Sequence, residues 1–115
     1  MDRKVVYYKN YYLNFILKQS DEVRIKFAWT IDLFLLQHRL PSKYLKSIKG
    51  SKGLFEIRVQ VGSNIFRVFA FFDKNDLVII INGFQKKSNK TPINEIKRAE
   101  SIKEEYYRNK QRIGE

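Results

Sequence analysis

Two arginines on either side of a short turn are the residues whose spacing most directly suggests chemistry. Arg58 lies in the segment LFEIRVQV and Arg67 in NIFRVFAFFD, and both segments alternate apolar and polar residues as β-strands do. Gly62 and Ser63 between them are typical of a two-residue hairpin turn. Counting back from that turn places Arg58 directly opposite Arg67, where two like charges destabilise a sheet. The pair is therefore either neutralised by a neighbouring acid or held for an anion.

A carboxylate close in sequence keeps both interpretations open. Glu56 precedes Arg58 by two residues, so their side chains share one face of the predicted strand, and Glu56 is diagonal to Arg67. Glu56 could neutralise both arginines in a surface ion-pair cluster. It could equally hold the two guanidinium groups in place until an anionic substrate binds.

The same register argument extends to the next predicted strand, LVIIINGF. If the turn DKND pairs its first and last residues, Arg67 faces Asn82 on that strand. Arg58, Arg67 and Asn82 then form a row across the sheet. Phe84 and Lys86 follow along the same face.

Fixed cations beside aromatic rings suit the cleavage of RNA without a metal. Arginine binds phosphate bidentately and stays charged. When the ribose 2′-oxygen attacks the adjacent phosphate, the enzyme must stabilise negative charge on phosphorus, assist removal of the 2′ proton and protonate the leaving 5′-oxygen. Arg58, Arg67 and Lys86 suit the first task. The general base stays open among Glu56, a lysine with a lowered pKa and a residue of the last helix, and Phe84 offers a ring on which an unpaired base could stack.

The elements that must position these residues are predicted to form an α+β fold. An N-terminal strand is followed by two helices, of which the second is capped by Ser20 and ended by Pro41. A basic connector, whose spacing permits a helical turn at Tyr44–Ile48, leads into a three-strand antiparallel meander. A final helix is predicted to begin with Thr91 as its cap and Pro92 as its first residue. The predicted bounds are 4–8, 10–18, 20–39, 54–61, 64–73 and 77–84, with a basic loop at 85–90 and the final helix after it.

Composition limits the classes of function that fit. The chain has 115 residues, and we expect one domain over 1–115. Its 23 Lys and Arg against 12 Asp and Glu give a net charge of +11, which favours an anionic partner. Nucleic acid is the first candidate, and an acidic protein or an anionic membrane surface also fits. The lysines of the connector, Lys46, Lys49 and Lys52, are more typical of a solvated face, although they add to this attraction.

Several other classes lack the residues they need. The chain has no cysteine, which excludes disulfides and thiolate chemistry, and one histidine, His38, near a predicted helix end, where a surface or capping role is favoured. No metal-ligand spacing, Gly-rich phosphate loop or dinucleotide fingerprint occurs, so we expect neither a metal nor a cofactor. Neither a signal-peptide core nor an apolar run of membrane-spanning length is present, so we expect a cytoplasmic protein without a membrane partner.

An ordered series of short motifs spans the second half of the chain. They are GLFEIR at 53–58, IFR at 65–67, NGFQKK at 82–87, TP at 91–92, EI at 95–96 and Ala99. This series resembles the HigB-type toxins of the RelE/ParE superfamily, from bacterial toxin–antitoxin systems. The order of elements before the series also matches that family by pattern.

The resemblance implies a RelE-like fold and a metal-independent endoribonuclease that cleaves mRNA by 2′-oxygen attack, in the A site of the 70S ribosome. The implied partner is a helix-turn-helix antitoxin from an adjacent gene, which neutralises the toxin and represses the operon. Many relatives have histidine at the position of Asn82, and asparagine cannot shuttle protons there. The residues expected to act are Arg58, Arg67 and Lys86 in catalysis, Glu56 and Asn82 in support, and Lys46, Lys49, Lys52, Phe84, Lys87 and Lys90 in RNA binding.

Two other functions stay open at this stage. The ParE branch shares the fold but inhibits DNA gyrase and cuts no RNA, and the basic pair after Asn82-Gly83-Phe84 argues against it. A non-enzymatic nucleic-acid-binding module, such as a decayed toxin, would bind in a salt-sensitive way without cleavage.

Overall fold

The computed structural model describes residues 3–37, 39–87 and 90–112, and His38 lies outside them. Within these residues the chain forms a five-strand mixed sheet and three helices, which is the α+β fold predicted from the sequence. One short strand, β2, precedes the predicted meander. The bounds are β1 Lys4–Tyr7, α1 Tyr11–Ile16, α2 Asp21–Leu36, β2 Leu45–Ser47, β3 Phe55–Val61, β4 Asn64–Phe72, β5 Leu77–Lys86 and α3 Ile93–Arg112.

The five strands form one sheet in the order β1-β5-β4-β3-β2. The antiparallel meander of β3, β4 and β5 is confirmed. β1 lies at one edge, as predicted, and pairs with β5 in parallel. β2 forms the other edge and pairs with β3 in antiparallel fashion over only three residues.

The connector before the meander differs from its predicted form. The helical turn suggested for Tyr44–Ile48 is wrong, because Leu45 pairs with Ile57 and Ser47 with Phe55 as part of β2. The Tyr44 carbonyl also accepts the Arg58 backbone N–H at 2.8 Å. Pairing with β3 satisfies backbone groups that the edge of the meander would otherwise expose, and this benefit outweighs the local helical spacing.

Both faces of the sheet are covered, which explains why β5 is apolar nearly throughout. α1 and α2 pack on the alternate residues of the meander that include Ile57 and Val68, whereas α3 packs on the other face around Phe69 and Phe71. The residues Val78, Ile79, Ile80 and Ile81 of β5 are completely buried because they contribute to both layers.

The second helix begins as predicted and ends earlier. The Ser20 hydroxyl accepts the Val23 N–H at 3.3 Å, which is an N-cap bond. α2 stops at Leu36 rather than near residue 39, and Gln37 is already extended. Arg3 donates to the carbonyls of Phe34 and Gln37 at 2.8 and 2.7 Å, so a side chain from outside the helix satisfies carbonyl groups at its end.

The last helix is anchored to the sheet near its end rather than frayed from Tyr107. Tyr107 packs against Phe71, with ring centroids 5.9 Å apart. The buried carboxylate of Asp73 accepts hydrogen bonds from Tyr106 and Lys110, each at 2.7 Å. Burial tends to raise the pKa of Asp73, but these two hydrogen bonds, together with the positive charges of Lys110 and Lys74, outweigh burial and hold its pKa below the usual value. None of the described helices has the length and apolar character needed to cross a bilayer.

Candidate anion-binding site

The hairpin between β3 and β4 has the register that the sequence predicted. Val61 pairs with Asn64 across the turn, and Arg58 lies directly opposite Arg67. Gly62 has a φ of +60°, a left-handed value that glycine adopts without strain in tight hairpin turns. The local turn therefore brings the two guanidinium groups to the same place on the sheet.

A buried carboxylate lies between the two guanidinium groups. Oε1 of Glu56 is 3.5 Å from Nε of Arg58 and 3.5 Å from Nε of Arg67. Glu56 is only 3 % exposed, and Arg67 is also buried. Neither Nε makes a hydrogen bond to a described residue, so both contact the carboxylate as ion pairs without hydrogen-bond geometry. Glu56 therefore holds the pair together without consuming the full donor capacity of either arginine.

The terminal nitrogens of the two arginines and the second oxygen of Glu56 also make hydrogen bonds to the surrounding chain. Arg58 donates from Nη1 to the Ser42 carbonyl at 2.8 Å, and Arg67 donates from Nη1 to the Phe66 carbonyl at 3.0 Å. The Thr91 hydroxyl donates a short hydrogen bond to Oε2 of Glu56. These contacts fix the orientation of the guanidinium groups before any ligand arrives.

Thr91 thereby has a different role from the predicted helix cap. Its hydroxyl bonds to Glu56, and the Pro92 carbonyl accepts the Ile96 N–H at 3.2 Å. The helical hydrogen bonds of α3 thus begin at Pro92, one residue later than predicted. Nothing local in the sequence indicated this use of Thr91, because its partner is 35 residues away.

Lys86 adds a third cation to the site. It lies opposite Ile65, on the face of β4 that carries Arg67. Burial lowers the pKa of Lys86, Arg67 lowers it further, and Glu56 opposes both effects. Burial also lowers the pKa of Arg67, with Arg58 adding to the effect and Glu56 opposing it. Two arginines thus contact one carboxylate and the charge of Lys86 interacts with the same group, and the excess positive charge favours an anion.

The β4–β5 register differs from the predicted one. Arg67 lies opposite Phe84 rather than Asn82. The turn holds three residues instead of two, since the Asp73 N–H bonds to the Leu77 carbonyl, and an irregularity between Val68 and Ala70 shifts the pairing further. The predicted row of Arg58, Arg67 and Asn82 is therefore wrong.

Asn82 and Phe84 are both buried in the structure. Asn82 is 1 % exposed, and neither atom of its side-chain amide has a hydrogen-bond partner among the described residues. Phe84 is 9 % exposed and stacks on the fully buried Phe69, with ring centroids 5.5 Å apart, in the core layer beneath α3. Its ring is not available for stacking on an RNA base.

The predicted RNA-binding lysines lie in three places on the described structure. Lys46 is exposed and lies directly opposite Glu56 in the β2–β3 register, and Lys87 is exposed immediately after Lys86. Lys49 and Lys52 are exposed on the loop after β2, and within the described structure no hydrogen bond or ion pair joins them to the arginines. Lys90 is exposed just before α3.

The general class of the fold can be stated first. Among solved structures, the chain is similar to that titled as a free-state double arginine-to-alanine mutant of the E. coli toxin RelE, with a TM-score of 0.62 and 17 % sequence identity, over 90 % of this chain and 98 % of that one. The RelE-like α+β fold is thus confirmed. The HigB-type branch is not singled out by this likeness.

The family can be stated more closely. A family model described as "Phage derived protein Gp49-like (DUF891)" matches residues 14–104. The chain therefore belongs to the Gp49-like family. No curated protein matches it.

Proposed function

We propose that this protein is the toxin of a type II toxin–antitoxin pair, of the HigB type, and acts as a metal-independent endoribonuclease on mRNA at the ribosome. The observation that carries the proposal is the group of three cations, Arg58, Arg67 and Lys86, around the single buried carboxylate of Glu56. The family match and the RelE-like fold support it. A group of this kind is preorganised for a phosphate.

The arginines would act on the phosphate that is attacked by the ribose 2′-oxygen. Attack adds negative charge to the non-bridging phosphate oxygens, and the guanidinium groups of Arg58 and Arg67 stabilise that charge because they are already oriented. Glu56 opposes their mutual repulsion in the free protein. An arriving phosphate then supplies the negative charge that the three cations still lack.

Lys86 suits the step at the leaving group. Its ammonium loses a proton more readily than an ordinary lysine because burial and Arg67 lower its pKa. A general acid works best when its pKa approaches the working pH. We therefore assign Lys86 the donation of a proton to the leaving 5′-oxygen, while the base that takes the 2′ proton is left unassigned.

The proposed partners follow from the same assignment. The substrate is mRNA in the 70S ribosome, towards which the net charge of +11 contributes attraction. Lys46, Lys87 and Lys90 are exposed around the site and would contact phosphates outside the cleaved bond. The inhibitor would be a helix-turn-helix antitoxin encoded by the neighbouring gene.

Cleavage of a defined mRNA by the purified protein, with and without 70S ribosomes, tests this function. We expect shortened mRNA in the presence of ribosomes. Arg67→Ala should lower the rate about 10²- to 10³-fold, as expected when one preorganised donor to a developing charge is lost. Lys97→Ala, which removes one positive charge from an exposed position of α3, should leave the rate unchanged.

Two further measurements keep the outcome clear. Circular dichroism shows whether Arg67→Ala folds, and Arg58→Ala removes the more exposed arginine if the first variant is unfolded. Intact mRNA at saturating wild-type protein would refute the proposal. Accumulation of cleaved DNA–gyrase complexes would then favour a ParE-like toxin, and salt-sensitive RNA binding without cleavage would favour a binding module.

A further inference from the structure

A groove along the edge of the sheet leads to the two arginines from the side of α2. In the described part of the chain, β2 pairs with β3 only over Phe55–Ile57, so beyond Ile57 no strand lies along the outer edge of β3, the edge opposite β4. The groove occupies this place and has a volume of about 470 Å³, within the usual size range of small-ligand pockets. Its walls are formed by α2, the loop before β2, β3 and Arg67. The lining residues on which the argument rests are Lys26, Trp29, Lys43, Tyr44, Arg58 and Arg67.

Trp29 exposes a large aromatic surface to this groove. It is 52 % exposed, although a tryptophan that served only packing would be mostly buried. The buried face of α2 is made by other residues, among them Phe27, Ile31 and Phe34. Tyr44 contacts Trp29 edge to face, with ring centroids 5.5 Å apart and an interplanar angle of 68°. This contact steadies the indole and is not a parallel stack.

The charges of the groove all have one sign. Lys26, Lys43, Arg58 and Arg67 line it, and none of the described acidic residues does. Lys26 is held at the groove wall by donating to the Gln60 carbonyl at 3.0 Å. An aromatic face beside several cations is the arrangement with which proteins bind single-stranded nucleic acid, since bases stack on the ring and phosphates pair with the cations.

We infer that this groove is a nucleobase subsite, in which Trp29 stacks on a base of the RNA whose phosphate is bound by Arg58 and Arg67. This inference rests on the proposed function, which places the phosphate, and adds the subsite that holds the base. Trp29 is thus a positioning residue that sets affinity and base preference. It takes the stacking role that the buried Phe84 cannot fill.

The subsite can be observed directly because Trp29 is the only tryptophan in the chain. Intrinsic fluorescence therefore reports on this one ring. Titration with a trinucleotide that carries 2′-deoxyribose, and so cannot be cleaved, should quench the fluorescence saturably. Ribose 5-phosphate supplies the phosphate without a base, and it should quench the Trp29 fluorescence far less than the trinucleotide does at equal occupancy of the site. Its occupancy is measured by competition with the trinucleotide.

Variants of the same helix test the role of the ring. Trp29→Ala should weaken trinucleotide binding about 5- to 150-fold by fluorescence polarisation of a labelled oligonucleotide, which is the range for losing one base–aromatic stack. Trp29→Phe should recover much of that affinity. Leu36→Ala removes another exposed apolar side chain of α2, outside the groove, and should have no effect.

The outcomes separate this inference from the proposed function. Saturable quenching that is lost in Trp29→Ala supports the subsite even if the protein cleaves no RNA. Cleavage with unchanged KM and unchanged base preference in Trp29→Ala overturns the subsite and leaves the endoribonuclease intact. Loss of antitoxin binding in Trp29→Ala, with RNA binding unaffected, would also overturn it, because the groove would then be a protein interface.

Discussion

The carboxylate of Glu56 offers the sharpest test of the charge cluster, because it can be neutralised without changing its shape. Glu56→Gln keeps an oxygen that can accept the Thr91 hydroxyl hydrogen bond but removes the negative charge between Arg58 and Arg67. The two arginines would then face each other across the β3–β4 hairpin without compensation. We expect the variant to be destabilised and to gain affinity for phosphate.

The expected loss can be estimated from the geometry. At 3.5 Å and an effective dielectric constant of about 20, each of the two ion pairs contributes a gross attraction of about 5 kcal/mol. Desolvation of the buried carboxylate and repulsion between the arginines offset much of this attraction. Breaking a buried pair by removing one partner typically costs about 3–5 kcal/mol of the free energy of unfolding. For a chain of this size that loss lowers Tm by roughly 10–25 °C.

Thermal and urea unfolding, each with and without inorganic phosphate, measure both effects. Phosphate should stabilise Glu56→Gln more than the wild type, because the variant is expected to bind phosphate more tightly. A ligand at about 100 times its Kd adds about 2.7 kcal/mol to the free energy of unfolding. Glu104→Gln changes the same charge at an exposed position of α3 and should behave as the wild type. A loss below about 1 kcal/mol with no added response to phosphate would refute the idea that Glu56 restrains an anion site.

Three further predictions concern other parts of the molecule. Gly83→Ala should lower the free energy of unfolding by about 1–3 kcal/mol, because a Cβ would lie 2.6 Å from the Phe15 ring. In chemical denaturation, the double variant with Phe15→Leu should lose less stability than the sum of the two single variants, and additive losses would contradict this contact. Asp73 has a lowered pKa in the folded state, so its contribution to the stability of the fold is complete above about pH 5 and is lost as pH falls below about 4. Asp73→Asn should therefore flatten the dependence of the melting temperature on pH in that window, and an unchanged slope would count against a stabilising role of the Asp73 carboxylate. Lys86→Arg keeps the positive charge, and the arginine stays protonated at alkaline pH, so the fall of the cleavage rate at alkaline pH should move to higher pH. An unchanged pH profile of the cleavage rate between about pH 7 and 10 would argue against Lys86 as the proton donor.

The extent to which the sequence predicted the site depended on how local each interaction is. The pairing of Arg58 with Arg67 was predictable, because a two-residue turn at Gly62 fixes the register of the strands beside it. The pairing of Arg67 with Phe84 was not, since it depends on a longer turn and on an irregularity within β4. The longer turn and the irregularity each shift the pairing by one residue, and together they moved Asn82 out of the predicted row.

Apart from β2, the order of strands and helices was determined by the sequence alone, as were the positive charge and the position of the arginine pair, because they follow from local alternation, capping and turn residues. The tertiary structure decided which groups surround that pair. Thr91 contacts Glu56 across 35 residues, and α3 covers the face on which Phe84 was expected to be accessible. The groove beside Trp29 exists because α2 packs next to the uncovered end of β3. Such contacts join segments far apart in the chain, and their energies depend on packing that local sequence patterns do not encode.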